Sequence, residues 1–166
     1  DLQLASAQPG TSAIDVVLID VQLEDSDILI SAVSPSSQLF VYDSTRDSAA
    51  DVLSRVYSWA DTNSAMIQSL SILSHGVDGA FQLGQDWITT DTLDFYRNDW
   101  QQLGSYFTAD GNIYILGCDV GAAGSDGQRL LDELAEITGA DLFASDDVTG
   151  AGGDWVFELS SQASLM

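Results

Sequence analysis

Residues 112–119, Asn-Ile-Tyr-Ile-Leu-Gly-Cys-Asp, decide the fold class. Ile113 to Leu116 is an unbroken apolar run with β-branched and aromatic members. Lacking polar alternation, it reads as a strand buried on both faces, the pattern of a parallel sheet covered by helices. Val16-Val17-Leu18-Ile19 and Leu39-Phe40-Val41-Tyr42 repeat the pattern upstream. Working outward, the apolar runs predict strands over 13–20, 38–43, 67–74, 112–118 and 140–145, with a late one over 154–159.

Stretches of helical period lie between them. Val52, Leu53, Val56, Tyr57 and Ala60 form an apolar stripe behind an N-terminal cap at Asp47 or Ser48. Leu93, Tyr96, Trp100 and Leu103 repeat after Thr90 or Asp91, and Leu130, Leu131, Leu134 and Ile137 precede Gly139, placed as a helix-ending glycine. A weaker helix covers 26–33 and stops before Pro35. Strand and helix alternating in this way predict an α/β fold with a mostly parallel sheet, right-handed crossovers and helices on both faces. Residues 77–90 break the rhythm and predict a small inserted hairpin around Gly84 and Gln85. The Asp-Gly pairs at Asp78, Asp110 and Asp126 read as turns.

The 166 residues, 45% of them hydrophobic, suit one domain over 13–160, with residues 1–12 a linker or frayed end and 161–166 a tail. Asp and Glu number 26 against four arginines and no lysine, a formal charge of −22. Such a surface repels phosphate backbones and anionic lipid, which argues against nucleic acid as a partner. No apolar run approaches the roughly 20 residues that span a bilayer, so membrane insertion is not expected. No signal peptide opens the sequence, and the abrupt start at Asp1 reads as a cut from something larger.

In an open α/β sheet the functional crevice lies beyond the carboxyl ends of the strands. The third predicted strand ends Leu73-Ser74-His75-Gly76 and the fourth Leu116-Gly117-Cys118-Asp119, so the chain's one histidine and one cysteine hold equivalent places. A free thiol, with a pKa of about 8.5, is mostly protonated at neutral pH. An adjacent imidazole takes that proton and later returns it to a leaving amine, so His75 and Cys118 suffice for acyl transfer. The N–H groups of Gly76 and Cys118 are candidates for an oxyanion hole.

The pair Ile72-Leu73-Ser74-His75-Gly76 and Ile113-Tyr114-Ile115-Leu116-Gly117-Cys118 resembles the signature of the caspase-like cysteine peptidases: caspases, legumain, gingipains, clostripain, separase and self-cleaving toxin domains. Cys118 follows His75 by 43 residues, comparable with the ≈ 50 of caspases, while the caspase pentapeptide is absent, because Asp119 and Val120 follow the cysteine. The resemblance implies a three-layer sandwich and peptide-bond hydrolysis. Through Val17-Leu18-Ile19-Asp20, Asp43-Ser44-Thr45-Arg46-Asp47, Ser74-His75-Gly76, Leu116-Gly117-Cys118-Asp119-Val120 and Ala144 to Gly150, the chain is also similar to a narrower family. That family is a bacterial domain of unassigned function, found in very large secreted or surface proteins with cadherin-like and calcium-binding repeats. It implies a secreted or cell-surface setting within a larger protein, with the parent polypeptide itself, or another peptide, as substrate.

Asp119, Asp146 and Asp147, together with Asp141, are expected near strand carboxyl ends, where they would hold an Arg or Lys before the scissile bond. An acidic residue there would need a cationic pocket, for which four arginines are scant. The chemistry requires no cofactor. Calcium is compatible with two acidic clusters, Glu24/Asp25/Asp27 and Asp146/Asp147/Asp154, but no calcium-loop motif surrounds them. The rival readings are a catalytically inactive structural or ligand-binding module of a giant adhesin, and an acidic calcium-binding spacer.

Overall fold

The computed structural model describes residues 12–24, 26–77, 79–116, 125–144 and 159–160. The elements run β1 (Ser12–Asp20), α1 (Ser26–Ala32), β2 (Gln38–Tyr42), α2 (Ala49–Thr62), β3 (Ala65–Leu73), β4 (Gly76–Val77), β5 (Ala80–Leu83) and β6 (Asp86–Ile88). A 3-10 turn (Leu93–Tyr96) leads into α3 (Arg97–Gly104), then β7 (Phe107–Leu116), α4 (Ser125–Thr138), β8 (Asp141–Ala144) and β9 (Leu159–Ser160).

The main sheet has the order β2-β1-β3-β7-β8-β9. Its first five strands are parallel, and β9 closes the edge antiparallel to β8. The step from β1 to β2 runs opposite to every later step. Right-handed crossovers therefore put α1 on one face and α2, α3 and α4 on the other. Burial agrees. Val52, Leu53 and Val56 of α2, Trp100 and Leu103 of α3, and Leu130, Leu131 and Leu134 of α4 share one core with Val16, Leu18, Leu70, Ile72, Ile113 and Ile115 of the sheet. By contrast, α1 buries no residue. Helices on both faces were expected; among the described residues the coverage is lopsided, three helices against one.

Ser48 rather than Asp47 caps α2. Its Oγ accepts from Asp51 N–H at 3.1 Å, and the Asp51 carboxylate accepts from Ser48 N–H at 3.3 Å, a closed capping box. At the far end of α4, Gly139 takes φ +77° and donates to Ala135 O at 2.8 Å. That left-handed position is the one its place in the sequence predicts.

Two of the Asp-Gly turn assignments need correction. Asp126-Gly127 lies within the first turn of α4. Asp110-Gly111 lies within β7, which begins at Phe107 instead of Asn112. Ile67 faces Phe107, but Ser69 faces Asn112, so β7 carries extra residues in a bulge before the pairing resumes. Asp78 falls outside the described residues. The inserted hairpin is present and larger than expected, since β4, β5 and β6 form a three-stranded antiparallel sheet. No helix among the described residues is long and apolar enough to cross a membrane.

Candidate functional site at the carboxyl edge

The reversal of strand order lies between β1 and β3, and side chains at their carboxyl ends face the crevice where open α/β sheets bind ligands. Across this edge, Asp20 pairs with Tyr42, Ile19 with Leu73, and Leu73 with Leu116. Burial alternates at the end of β3: Ile72 is buried, Leu73 half-buried, Ser74 buried and His75 exposed. Ser74 thus turns toward the helix-covered core, and His75 turns away from it into solvent.

Beyond His75 the chain enters the small sheet. Gln82 N–H donates to His75 O at 2.8 Å, which extends the β4–β5 ladder back by one position. In a trans peptide the N–H points opposite to the C=O, so the Gly76 N–H is directed away from β5. The inner face of this sheet, Phe81, Leu83 and Ile88, is fully buried, with Phe81 set edge-on to Trp100.

Four bonds hold the sheet against the β2 end of the molecule. Gln85 N–H donates to Asp47 O at 2.6 Å, and Ala49 N–H donates to Asp86 Oδ2 at 2.8 Å. Tyr42 OH donates to Gln82 O, and Gln85 Nε2 to Thr45 O, each at 3.3 Å. Gly84, at φ +64°, makes this approach close: a Cβ there would lie 2.3 Å from Asp47 O.

A polar cluster that the sequence reading did not assign to the site lies under the same edge. Asp20 is fully buried, and its Oδ1 accepts from Gln22 N–H at 2.9 Å and Ser44 N–H at 3.2 Å, tying together the loops that follow β1 and β2. Among the described residues its Oδ2 and the Ser74 hydroxyl have no hydrogen-bond partner. Burial, and then the Asp20 carboxylate, push the Tyr42 phenol far above its usual range. Ser74 sits close enough to Tyr42 to oppose this slightly, although the two hydroxyls do not meet in good hydrogen-bond geometry. The available signal was a carboxylate directly after a buried apolar run, the position of Asp20 behind Val17-Leu18-Ile19.

Next to this cluster is a shallow hollow of ≈ 200 Å³, lined in part by Val41, Tyr42, Arg46 and Arg55. Both arginines are engaged: Arg55 Nη2 lies 2.7 Å from Asp47 Oδ1, and Arg46 Nε lies 3.6 Å from Asp43 Oδ2. The Arg55 guanidinium and the Asp43 N–H hold the Asp47 carboxyl below the usual carboxylate range, and the hydroxyl and N–H of Thr45 do the same for Asp43.

His75 and Gly76 therefore stand at the carboxyl edge, where the sequence placed them. Cys118, Asp119, Asp146 and Asp147 lie outside the described residues, as do Asp25 and Asp154 of the acidic clusters. Asp141 needs correction. It is the first residue of β8 and pairs with Asn112, at the amino end of the sheet and remote from the crevice. Among the described residues no three His, Cys, Asp or Glu side chains gather as a metal site. No curated protein and no solved structure matches the chain. One family does, over residues 16–165, and the chain accordingly belongs to the domain of unknown function (DUF4347) family.

Proposed function

We propose that this domain is a cysteine endopeptidase of caspase-like architecture, with Cys118 as nucleophile and His75 as its acid–base partner. The observation that carries this reading is the pairing of Leu73 with Leu116 on adjacent parallel strands. His75 follows the first by two residues and Cys118 follows the second by two. The exposure of His75 and the outward turn of the Gly76 N–H support the same reading.

In the proposed reaction His75 takes the Cys118 proton as the sulfur bonds to the scissile carbonyl carbon. The carbonyl electron pair moves to oxygen, held by the N–H groups of Gly76 and Cys118. Collapse breaks the C–N bond, and the amine leaves with the proton from His75. Water then gives a proton to His75, its oxygen joins the acyl carbon, and the sulfur departs and regains its proton. No cofactor is called for. Asp119, Asp146 and Asp147 are the proposed carboxylates for a basic residue before the cut. Arg46 and Arg55, each already paired with an aspartate, offer little for an acidic one. The substrate is a peptide or the parent polypeptide, in a secreted or cell-surface setting.

An arginyl peptide ketone tests the reading. We expect stoichiometric modification of Cys118, none in Cys118→Ala, and at least about a hundredfold slower reaction in His75→Ala, within the range that a positioned base contributes. Equal rates in the wild type and His75→Ala would overturn it in favour of an inactive module.

A further inference from the structure

The small sheet has two faces of opposite character. Phe81, Leu83 and Ile88 point inward and are fully buried. On the outer face the register sets Gln82 opposite Trp87, and the bond from Gln82 N–H to His75 O aligns His75 with the same row. Residues directly opposite in an antiparallel ladder project from one face, so His75, Gln82 and Trp87 form a line across three strands. With strands ≈ 4.8 Å apart, Trp87 stands roughly 10 Å from His75, backbone to backbone. Val77, two residues beyond His75, shares that face. Val77 is 51% exposed and Trp87 39%, an apolar pair left in water beside the histidine of a strongly acidic protein.

The direction of this line is informative. The main sheet runs β2-β1-β3-β7, and the small sheet is fastened to Tyr42, Thr45, Asp47 and Ala49, at and beyond the β2 end. From His75 the row therefore leads away from β7, the strand that precedes Cys118. The proposed chemistry requires the imidazole to deliver a proton to the leaving nitrogen. The surface that continues outward from His75 then faces the part of the substrate released as amine. An extended peptide advances ≈ 3.3 Å per residue, so Trp87 lies about three residues along.

We propose that Val77, Gln82 and Trp87 form the subsite for the substrate segment after the scissile bond, with Trp87 receiving a large apolar side chain at the second or third position beyond the cut. This rests on the peptidase reading for its direction. Gln82 presents its amide between the two apolar residues, suited to the peptide backbone, while Val77 and Trp87 remove apolar surface from water on contact.

The test uses the full chain with Cys118→Ala, which leaves peptides uncut. Two peptides, Ala-Ala-Arg-Ala-Leu-Trp and Ala-Ala-Arg-Ala-Ser-Ser, are titrated by calorimetry. We expect the Leu-Trp peptide to bind about tenfold tighter, the effect of one well-seated aromatic contact. The advantage should fall below about twofold when Trp87→Ala is added and persist with Trp87→Phe. Equal binding of the two peptides, or an advantage that survives Trp87→Ala, overturns the subsite. Ketone labelling judges the peptidase reading separately, because that probe carries only residues before the reacting carbonyl. Labelling without discrimination would leave the peptidase and remove the subsite. Discrimination that depends on Trp87 without labelling would leave a peptide-binding face and remove the chemistry.

Discussion

The two sheets of this domain are held in place by different forces. In the main sheet, Val16, Leu18, Leu70, Ile72, Ile113 and Ile115 are inaccessible to solvent and meet a layer of equally buried helix residues. Their stabilisation comes from apolar area removed from water, which has no direction and tolerates small shifts. The small sheet also sinks one face into that core. Its lateral position, however, is set by polar contacts with the β2–α2 loop: the bonds at Asp47 O, Asp86 Oδ2, Gln82 O and Thr45 O, together with the close pass of Gly84. Those contacts are directional and short-ranged. Global stability and the placement of His75 are therefore separable quantities, and a substitution can damage either one with limited effect on the other.

The largest effect expected is on the main sheet. Ile72→Ala removes a fully buried side chain from a central strand, and deletions of this kind cost about 2–5 kcal/mol. Urea unfolding should show a lower midpoint with an unchanged slope. At temperatures where the variant remains folded, the ketone labelling rate should stay close to that of the wild type. Gly84→Ala should behave in the opposite way. It places a Cβ against the Asp47 carbonyl in a left-handed backbone, where alanine already costs about 1–2 kcal/mol. The contact is with backbone, so relief requires the β5–β6 turn to lift from the loop. Labelling should slow more than the midpoint falls. If Ile72→Ala slows labelling as much as Gly84→Ala does, the two sheets are mechanically one unit and the distinction fails.

The same division sets what could be read without coordinates. The parallel strands were legible because burial on both faces forces continuous apolar runs, as in Val16 to Ile19 and Ile113 to Leu116. The α2 and α4 helices were legible from their stripes and their terminal Ser48 and Gly139. Phe107 to Gly111 was not, because Asp110-Gly111 signals a turn locally, and only pairing with Ile67 on a distant strand draws it into β7. Asp141 was assigned to the wrong end of its strand although the clue was present: a residue that opens an apolar run in a parallel sheet stands at the amino edge. At the candidate site, the place of His75 at a strand end was visible. Its alignment with Trp87 was not, since that depends on the register of two hairpins. Nor was the burial of Asp20, which needs the β2–α2 loop to fold back and present the Ser44 N–H.

The smallest effect concerns the loop that anchors the small sheet, and it is read through pH. Asp43 and Asp47 both titrate below the ordinary carboxylate range when folded. The unfolded chain thus binds more protons at these positions between its own values, near pH 4, and the lower folded ones. Their contribution to stability is complete above that window and is lost as pH falls through it. Both carboxylates are half-buried but face arginines that are themselves exposed to water, so screening keeps the contribution small, and salt should reduce it further. The wild-type curve alone would mislead, because acidification also relieves the self-repulsion of a chain carrying −22. Comparison with Asp47→Asn removes that common background, since the variant can still accept from Asp43 N–H but cannot pair ionically with Arg55. Melting temperatures followed downward from neutrality should show a modest deficit for the variant at pH 7, closing as the wild-type carboxylate protonates below about pH 4. The absence of a deficit at every pH would mean that Asp47 supports the loop through the hydrogen bond that asparagine retains, and that the Arg55 pair contributes nothing to holding the β5–β6 turn in place.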